Sequence, residues 1–253
     1  MFKNFENKLD GIKVALLSTN GFEYDELTKP KQALEEAGAR VFVVSPEKGS
    51  IKGWTKTNWS GSIPVDILLT EASATDFDAL ILPGGVMNPD KLRMDADAVK
   101  FVKSFSDTGK PIAAICHGSQ ILIETDIVRG KKMTSWPSLK TDLLNAGALW
   151  IDEAVVSDRG LITSRKPDDI PAFNKKMIEE FAEGSYGTSS IKRKESQMQN
   201  FYNPHSSDRV EIPEKYPSQY PDKNPGKEFE AGEKEGDFPP KIEMENENQI
   251  GNF

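Results

Sequence analysis

The chain has 253 residues, a single cysteine, two histidines and a formal net charge of −8. That length allows one large domain or two small ones, and the acidity excludes the basic stripe of a nucleic-acid-binding surface. One cysteine rules out an internal disulfide framework, and no paired Cys/His spacing suggests a metal site, so no metal or cofactor is expected.

In chain order, residues 12–19 (Ile12-Lys13-Val14-Ala15-Leu16-Leu17-Ser18-Thr19) are predicted as a buried strand. Asn20-Gly21 turns the chain, and Phe22 to Gly38 is predicted as a helix that Pro30 kinks or deprives of a hydrogen bond. Arg40 to Ser45 is a second strand. Residues 47–64, with Trp54, Trp59 and several Gly and Pro, give an irregular excursion or a small hairpin whose indoles either cap the core or wall a pocket. Asp78 to Pro83 is a third strand running into Gly84-Gly85, and Asp95 to Ser106 is an amphipathic helix with Ala98, Val99, Val102 and Phe105 inward. The apolar run Pro111 to Ile115 is a fourth strand, followed by a helix to about Thr125. Residues 138–147 and 168–183 are further helices. Trp150 to Val156 and Gly160 to Ser164 pair as strands, with Ser157-Asp158-Arg159 near their turn.

Alternating strands and helices imply an α/β fold with a mostly parallel sheet between helical layers. Residues 1–184 form this domain. Residues 185–253, dense in Pro, Glu, Lys, Asn and Ser, form a low-complexity polar tail expected to be disordered or an extended arm. No apolar segment is long enough to span a bilayer. Met1-Phe2-Lys3-Asn4-Phe5-Glu6 lacks a secretory apolar region, so a cytoplasmic setting is expected, with neither membrane nor nucleic acid as partner.

Ligands of such sheets sit beyond the carboxyl ends of the strands. Three segments should converge there: Asn20 to Glu23, Gly84-Gly85 and Cys116-His117. Cys116 lies where a buried strand meets a helix, and a thiol there faces unpaired N–H groups and the positive end of the dipole, which favour thiolate. Most lone cysteines are buried hydrophobes, but the strand end, the adjacent His117 and the following Gly118 favour a nucleophile. Glu23 is the candidate proton partner. The N–H groups of Gly84, Gly85 and His117 are candidates for an oxyanion hole. A hydrolytic triad with a far-downstream histidine is closed to this chain, because the only such residue is His205 in the tail.

Ala113-Ala114-Ile115-Cys116-His117-Gly118, Leu82-Pro83-Gly84-Gly85 and Gly21-Phe22-Glu23-Tyr24-Asp25-Glu26-Leu27 resemble the PfpI-type branch of the class I glutamine amidotransferase-like superfamily. Asn88-Pro89-Asp90-Lys91-Leu92-Arg93, Gly130 to Ser135, Asn145-Ala146-Gly147-Ala148 and Thr163 to Asp169 extend the resemblance, which covers about residues 10–184. It implies a flavodoxin-like three-layer sandwich forming homodimers, trimers or hexamers. It also implies Cys116 as nucleophile, Glu23 as proton partner and His117 as dyad member. Asp90 stands where some peptidase members carry a glutamate that reaches a neighbouring subunit's histidine. Ser119 replaces the proline common after Cys-His-Gly. The activities implied are glyoxalase or deglycase action on small aldehydes, or intracellular peptidase action. A non-enzymatic alternative is a stress protein that oxidises Cys116 to sulfinate, held by Glu23.

Overall fold

The structure is a computed structural model that describes residues 7–184; the predicted tail, residues 185–253, lies outside the described residues. In chain order the elements are β1 (Lys13–Leu17), β2 (Phe22–Glu23), α1 (Tyr24–Glu36), β3 (Arg40–Ser45), β4 (Ser50–Thr55), β5 (Asn58–Pro64), β6 (Ile67–Leu68) and β7 (Ala79–Leu82). There follow α2 (Met87–Arg93), α3 (Ala96–Asp107), β8 (Ile112–Ile115), a 3₁₀ turn at Cys116–Gln120 and α4 (Ile121–Glu124). β9 (Lys132–Met133), α5 (Lys140–Asn145), β10 (Leu149–Trp150), β11 (Val155–Asp158), β12 (Leu161–Ser164) and α6 (Ile170–Glu183) complete the domain. None of the described helices is long and apolar enough to cross a membrane.

Seven strands form the central sheet in the order β11-β12-β8-β7-β1-β3-β6, and only the β11–β12 pair is antiparallel. The register is continuous across the middle: Leu16 lies beside Val43 and Ile81, and Ile81 beside Ala113. Both faces are covered, so these strands are apolar without alternation, yet their side chains still divide by period two. Ala15, Leu17, Leu80, Leu82, Ile112 and Ala114 point to one face, with Phe101 and Phe105 of α3 and Ile121 and Leu122 of α4. Val14, Leu16, Ala79, Ile81, Ala113 and Ile115 point to the other, with Leu27 and Leu34 of α1 and Phe173, Met177 and Phe181 of α6. On the first face Phe42, Phe77, Phe101 and Phe105 form a chain of edge-on contacts with centroids 5.2 to 6.2 Å apart. Such geometry suits the ring quadrupoles.

The excursion is a hairpin. β4 and β5 pair antiparallel with a bulge between Lys52 and Trp54, and β4 also takes β2 as a parallel neighbour. That pairing draws Phe22-Glu23 out of the predicted helix, which begins at Tyr24. α1 then runs through Pro30, which sits on its buried side and gives up only its own donor. Trp54 and Trp59 meet edge to face at 5.3 Å on the hairpin, and Trp59 stays half exposed; the indoles pack on each other. Asp95 is the N-cap of α3, its carboxylate accepting from the N–H groups of Asp97 and Ala98 at 2.9 and 3.2 Å. The predicted strand Trp150 to Val156 is split: Trp150 pairs with Met133 in a separate two-stranded sheet, and Val155 onward pairs with β12.

Two glycines are fixed by close backbone approach. A Cβ on Gly85, whose φ is +85°, would lie 2.5 Å from the Gly21 carbonyl oxygen, and one on Gly118 would lie 2.3 Å from that of Leu82. Gly130 has φ +66° but open space around it. Gly85→Ala and Gly118→Ala are therefore expected to cost about 3 kcal/mol or more, and Gly130→Ala about 1 kcal/mol. Urea unfolding midpoints at constant slope check the ranking; equal losses at all three would contradict this packing.

Candidate functional site

β1 has β3 on one side and β7 on the other, so successive crossovers leave it in opposite directions and open a crevice beyond its carboxyl end. The loops after β1, β7 and β8 meet there. The Glu23 N–H donates to the Gly84 carbonyl at 3.3 Å, which ties the first two loops. Asn88, on α2 and almost fully buried, ties them again. Its amide nitrogen donates to the carbonyls of Pro83 at 2.9 Å and Gly84 at 3.3 Å, and its oxygen accepts from the Thr19 N–H at 2.8 Å. In the sequence Asn88 stands out only as part of the Asn88-Pro89-Asp90-Lys91-Leu92-Arg93 motif.

Cys116 leaves β8 with φ +60°, a left-handed conformation that L residues rarely adopt, and opens the 3₁₀ turn. Backbone strain of this kind lifts a side chain off the end of a strand, as in a nucleophile elbow. The thiol is mostly buried, with Sγ 3.4 Å from Nδ1 of His117. The N–H groups of His117 and Gly85 face the sulfur as donors.

The acid beside the thiol is Glu26. Its side chain is fully buried, and neither carboxyl oxygen closes a complete hydrogen bond; the polar groups nearest to it are the Cys116 thiol and the Gly84 N–H. Gly84 is the spacer. A Cβ there would lie 2.3 Å from Oε2 of Glu26 and 2.7 Å from Cβ of Cys116. Glu23, the predicted partner, stands at the N-terminus of α1, half-buried, with no hydrogen bond to the sulfur. The short β2 strand holds it on the hairpin side, and the first turn of α1 carries Glu26 inward instead. The signal was present in the sequence. Glu26, Leu27, Pro30, Ala33 and Leu34 form the inward stripe of α1 at helical spacing.

Of the proposed oxyanion donors, Gly84 is engaged by Glu26, whereas Gly85 and His117 face the sulfur. Nε2 of His117 lies 3.4 Å from Oγ of Ser138, and the ring stacks on Trp136 with centroids 5.9 Å apart. Asp90 sits on the exposed side of α2 and makes no hydrogen bond or ion pair with His117 of its own chain. No cluster of three or more His, Cys, Asp or Glu side chains that could hold a metal occurs among the described residues.

Burial sets the electrostatics. It pushes the Glu26 carboxyl up to about 8, aided by the nearby Glu23 and Asp25 charges, so that at pH 7 Glu26 holds its proton. Burial and a Glu26 carboxylate push the Cys116 thiol up as well, against the pull of the His117 and Gly85 N–H groups. The help expected from the strand-end position is therefore outweighed. The turn is a short 3₁₀ segment followed by the four-residue α4, which offers little dipole, and burial outweighs it. A protonated Glu26 lacks the like charge that opposes a thiolate, so the two sites titrate as a coupled pair. Burial also lowers His117, keeping its imidazole neutral at pH 7.

The raised Glu26 fixes a sign. Between its ordinary value of 4.5 and about 8 the folded protein holds a proton that the unfolded chain releases, so folding stability falls as pH rises through that window. Glu26→Gln removes this slope. The stability difference between variant and parent should grow in the variant's favour by on the order of 3 kcal/mol from pH 5 to pH 8, read from urea unfolding at each pH. A difference that stays constant with pH would place the carboxyl in water.

The profile described as the DJ-1/PfpI family matches residues 12–180. General stress protein 18 of Bacillus subtilis is 44% identical over 170 residues, covering 66% of this chain and 96% of the relative. Protein/nucleic acid deglycase 2 of Escherichia coli is 42% identical over 168 residues, covering 66% of this chain and 95% of the relative. A solved two-domain protein from Anabaena variabilis, with DJ-1/ThiJ/PfpI-like and ferritin-like domains, is 40% identical with a TM-score of 0.63; the match takes in 66% of this chain and 47% of that longer one. By its strand order, its cysteine elbow and these likenesses, the chain belongs to the DJ-1/PfpI family.

Proposed function

We propose that the chain is a cysteine-dependent enzyme of glyoxalase or deglycase type, acting on small reactive carbonyls in stress protection. The observation that carries this reading is the buried Glu26 carboxyl set against the Cys116 sulfur with only Gly84 between them. A protonated acid there holds a thiolate by hydrogen bonding and removes the like charge that would oppose it. The names of two relatives, a deglycase and a general stress protein, point the same way.

With a 2-oxoaldehyde, the sulfur adds to the aldehyde carbon, and the resulting oxyanion is held by the Gly85 and His117 N–H groups and takes up a proton. His117, neutral at pH 7, removes the hydrogen of that carbon. The electron pair moves to give an enediol, and reprotonation at the neighbouring carbon leaves a 2-hydroxyacyl thioester on Cys116. Water then releases the hydroxy acid and restores the thiol. Every atom comes from substrate and water, and no oxidant is needed.

Peptide or amide hydrolysis is the second reading. Its orienting acid would be Asp90 of another copy, since Asp90 is exposed and forms no hydrogen bond or ion pair with its own His117. Assembly as a homo-oligomer in the cytoplasm belongs to the same proposal. In a third reading Cys116 is oxidised to sulfinate without turnover, with the buried protonated Glu26 in the place first given to Glu23.

Purified protein with methylglyoxal should yield lactate, and Cys116→Ser should abolish this. Glu26→Gln should lower kcat/KM about 10²-fold or more, while Glu23→Gln changes it less than about threefold. Cleavage of a fluorogenic peptide with no lactate formed would replace the carbonyl reading by the peptidase one. If neither substrate is turned over and mild peroxide adds two oxygens at Cys116, the redox reading replaces both.

A further inference from the structure

His117 needs something to hold its ring. An imidazole that takes the Cys116 proton must present a bare Nδ1 to the sulfur, so its other nitrogen carries hydrogen and needs an acceptor. The Nδ1 atom faces Sγ at 3.4 Å, and the acceptor in reach of Nε2 is Oγ of Ser138, also at 3.4 Å. Asp90, the residue that the family resemblance offers for this role, makes no hydrogen bond or ion pair with His117 inside the chain.

The segment carrying Ser138 is built onto the nucleophile. The Trp136 N–H donates to the Cys116 carbonyl at 3.2 Å. The Ser135 hydroxyl donates to the Trp136 carbonyl at 2.9 Å and accepts from the Trp150 indole N–H at 3.0 Å. Pro137 then starts a 3₁₀ turn anchored by buried Leu139, whose N–H returns to the Trp136 carbonyl at 3.0 Å. Ser138 sits at the middle of that turn, while the Trp136 indole lies along the imidazole. No ionisable side chain occurs in residues 134–139 or in β12. Asp90, Lys91 and Arg93 of α2, which packs against the turn, make no hydrogen bond or ion pair with the ring.

We propose that Ser138 is the positioning residue of a relay contained in one chain, Cys116–His117–Ser138, in which the Nε2–H of neutral His117 donates to Oγ of Ser138 and leaves Nδ1 free for the thiol proton. The proposal shares with the function above the view of His117 as proton carrier, and it makes a partner subunit's carboxylate unnecessary for orienting the ring. A hydroxyl stabilises an imidazolium far less than a carboxylate does. The relay therefore suits a histidine that moves protons while staying mostly neutral, as carbonyl chemistry asks, over one that must hold a positive charge.

The test is the tautomer of His117, read by long-range proton–nitrogen correlation spectra of the full chain at pH 7.5, with His205→Gln in the background so that one imidazole remains. The Nε2–H form should predominate. Ser138→Ala should reduce its ratio to the Nδ1–H form at least threefold, and Ser138→Thr, which keeps the hydroxyl, should restore it. Iodoacetamide capture of Cys116 at pH 7 should slow about three- to tenfold in the alanine variant, a neutral hydrogen bond's worth, and recover in the threonine variant. A parent dominated by the Nδ1–H form, or an alanine variant unchanged in both readouts, overturns the relay. A relay that responds as stated in a protein making no lactate from methylglyoxal leaves Ser138 in place and removes the carbonyl reading alone.

Discussion

One burial governs this site: the carboxyl of Glu26 has been taken out of water and laid against a sulfur. An ionised carboxylate could not remain there cheaply, since removing a charge from solvent without a paired cation costs several kcal/mol. The group answers by keeping its proton to about pH 8. A carboxylic acid kept neutral at physiological pH is a donor, and a donor is what an ionising thiol needs. Cys116 is pushed up by the same burial and by any charge on Glu26, and the groups that pull it down are the His117 and Gly85 N–H groups.

The remainder of the crevice serves that pairing. Gly84 supplies the gap between acid and sulfur because it has no side chain to fill it. Gly85 lets two loop backbones approach within contact distance, and Asn88 locks the loops after β1 and β7 with hydrogen bonds on both sides. The positive φ of Cys116 is kept in place by parallel strands on either side of β8, whose register with β7 and β12 fixes where the strand ends. Strain at Cys116 is held by the rigidity of the sheet beneath it.

Much of this was legible in the sequence because it rests on long, strong patterns. The four apolar runs ending near Leu17, Ser45, Leu82 and Ile115 are each a central strand, and the Gly-Gly and Cys-His-Gly segments fall at their ends. Two-residue strands such as β6, β9 and β10 carry no periodicity, and α2 begins with Met87-Asn88-Pro89, which looks like a turn. That the carboxyl beside the thiol is Glu26 and not Glu23 escapes local patterns for a related reason. Glu23 is the first carboxylate after the strand, but Phe22-Glu23 is claimed by Gly53-Trp54 of the hairpin, a non-local pairing that no local pattern reveals. The inward stripe Glu26, Leu27, Pro30, Ala33 and Leu34 held the answer, since an acid on the greasy side of a helix must meet something that tolerates it. Ser138 was invisible for a different reason: its relation to His117 spans 21 positions and is made by a turn tied to the cysteine's own carbonyl.

The clasp formed by Asn88 has a mechanical result. One carboxamide is shared by the ends of two adjacent strands, so the gap between them cannot widen on one side alone without giving up hydrogen bonds on the other. The floor of the crevice is thereby braced like an anvil, whereas the stacked side chains of His117 and Trp136 stand partly in solvent.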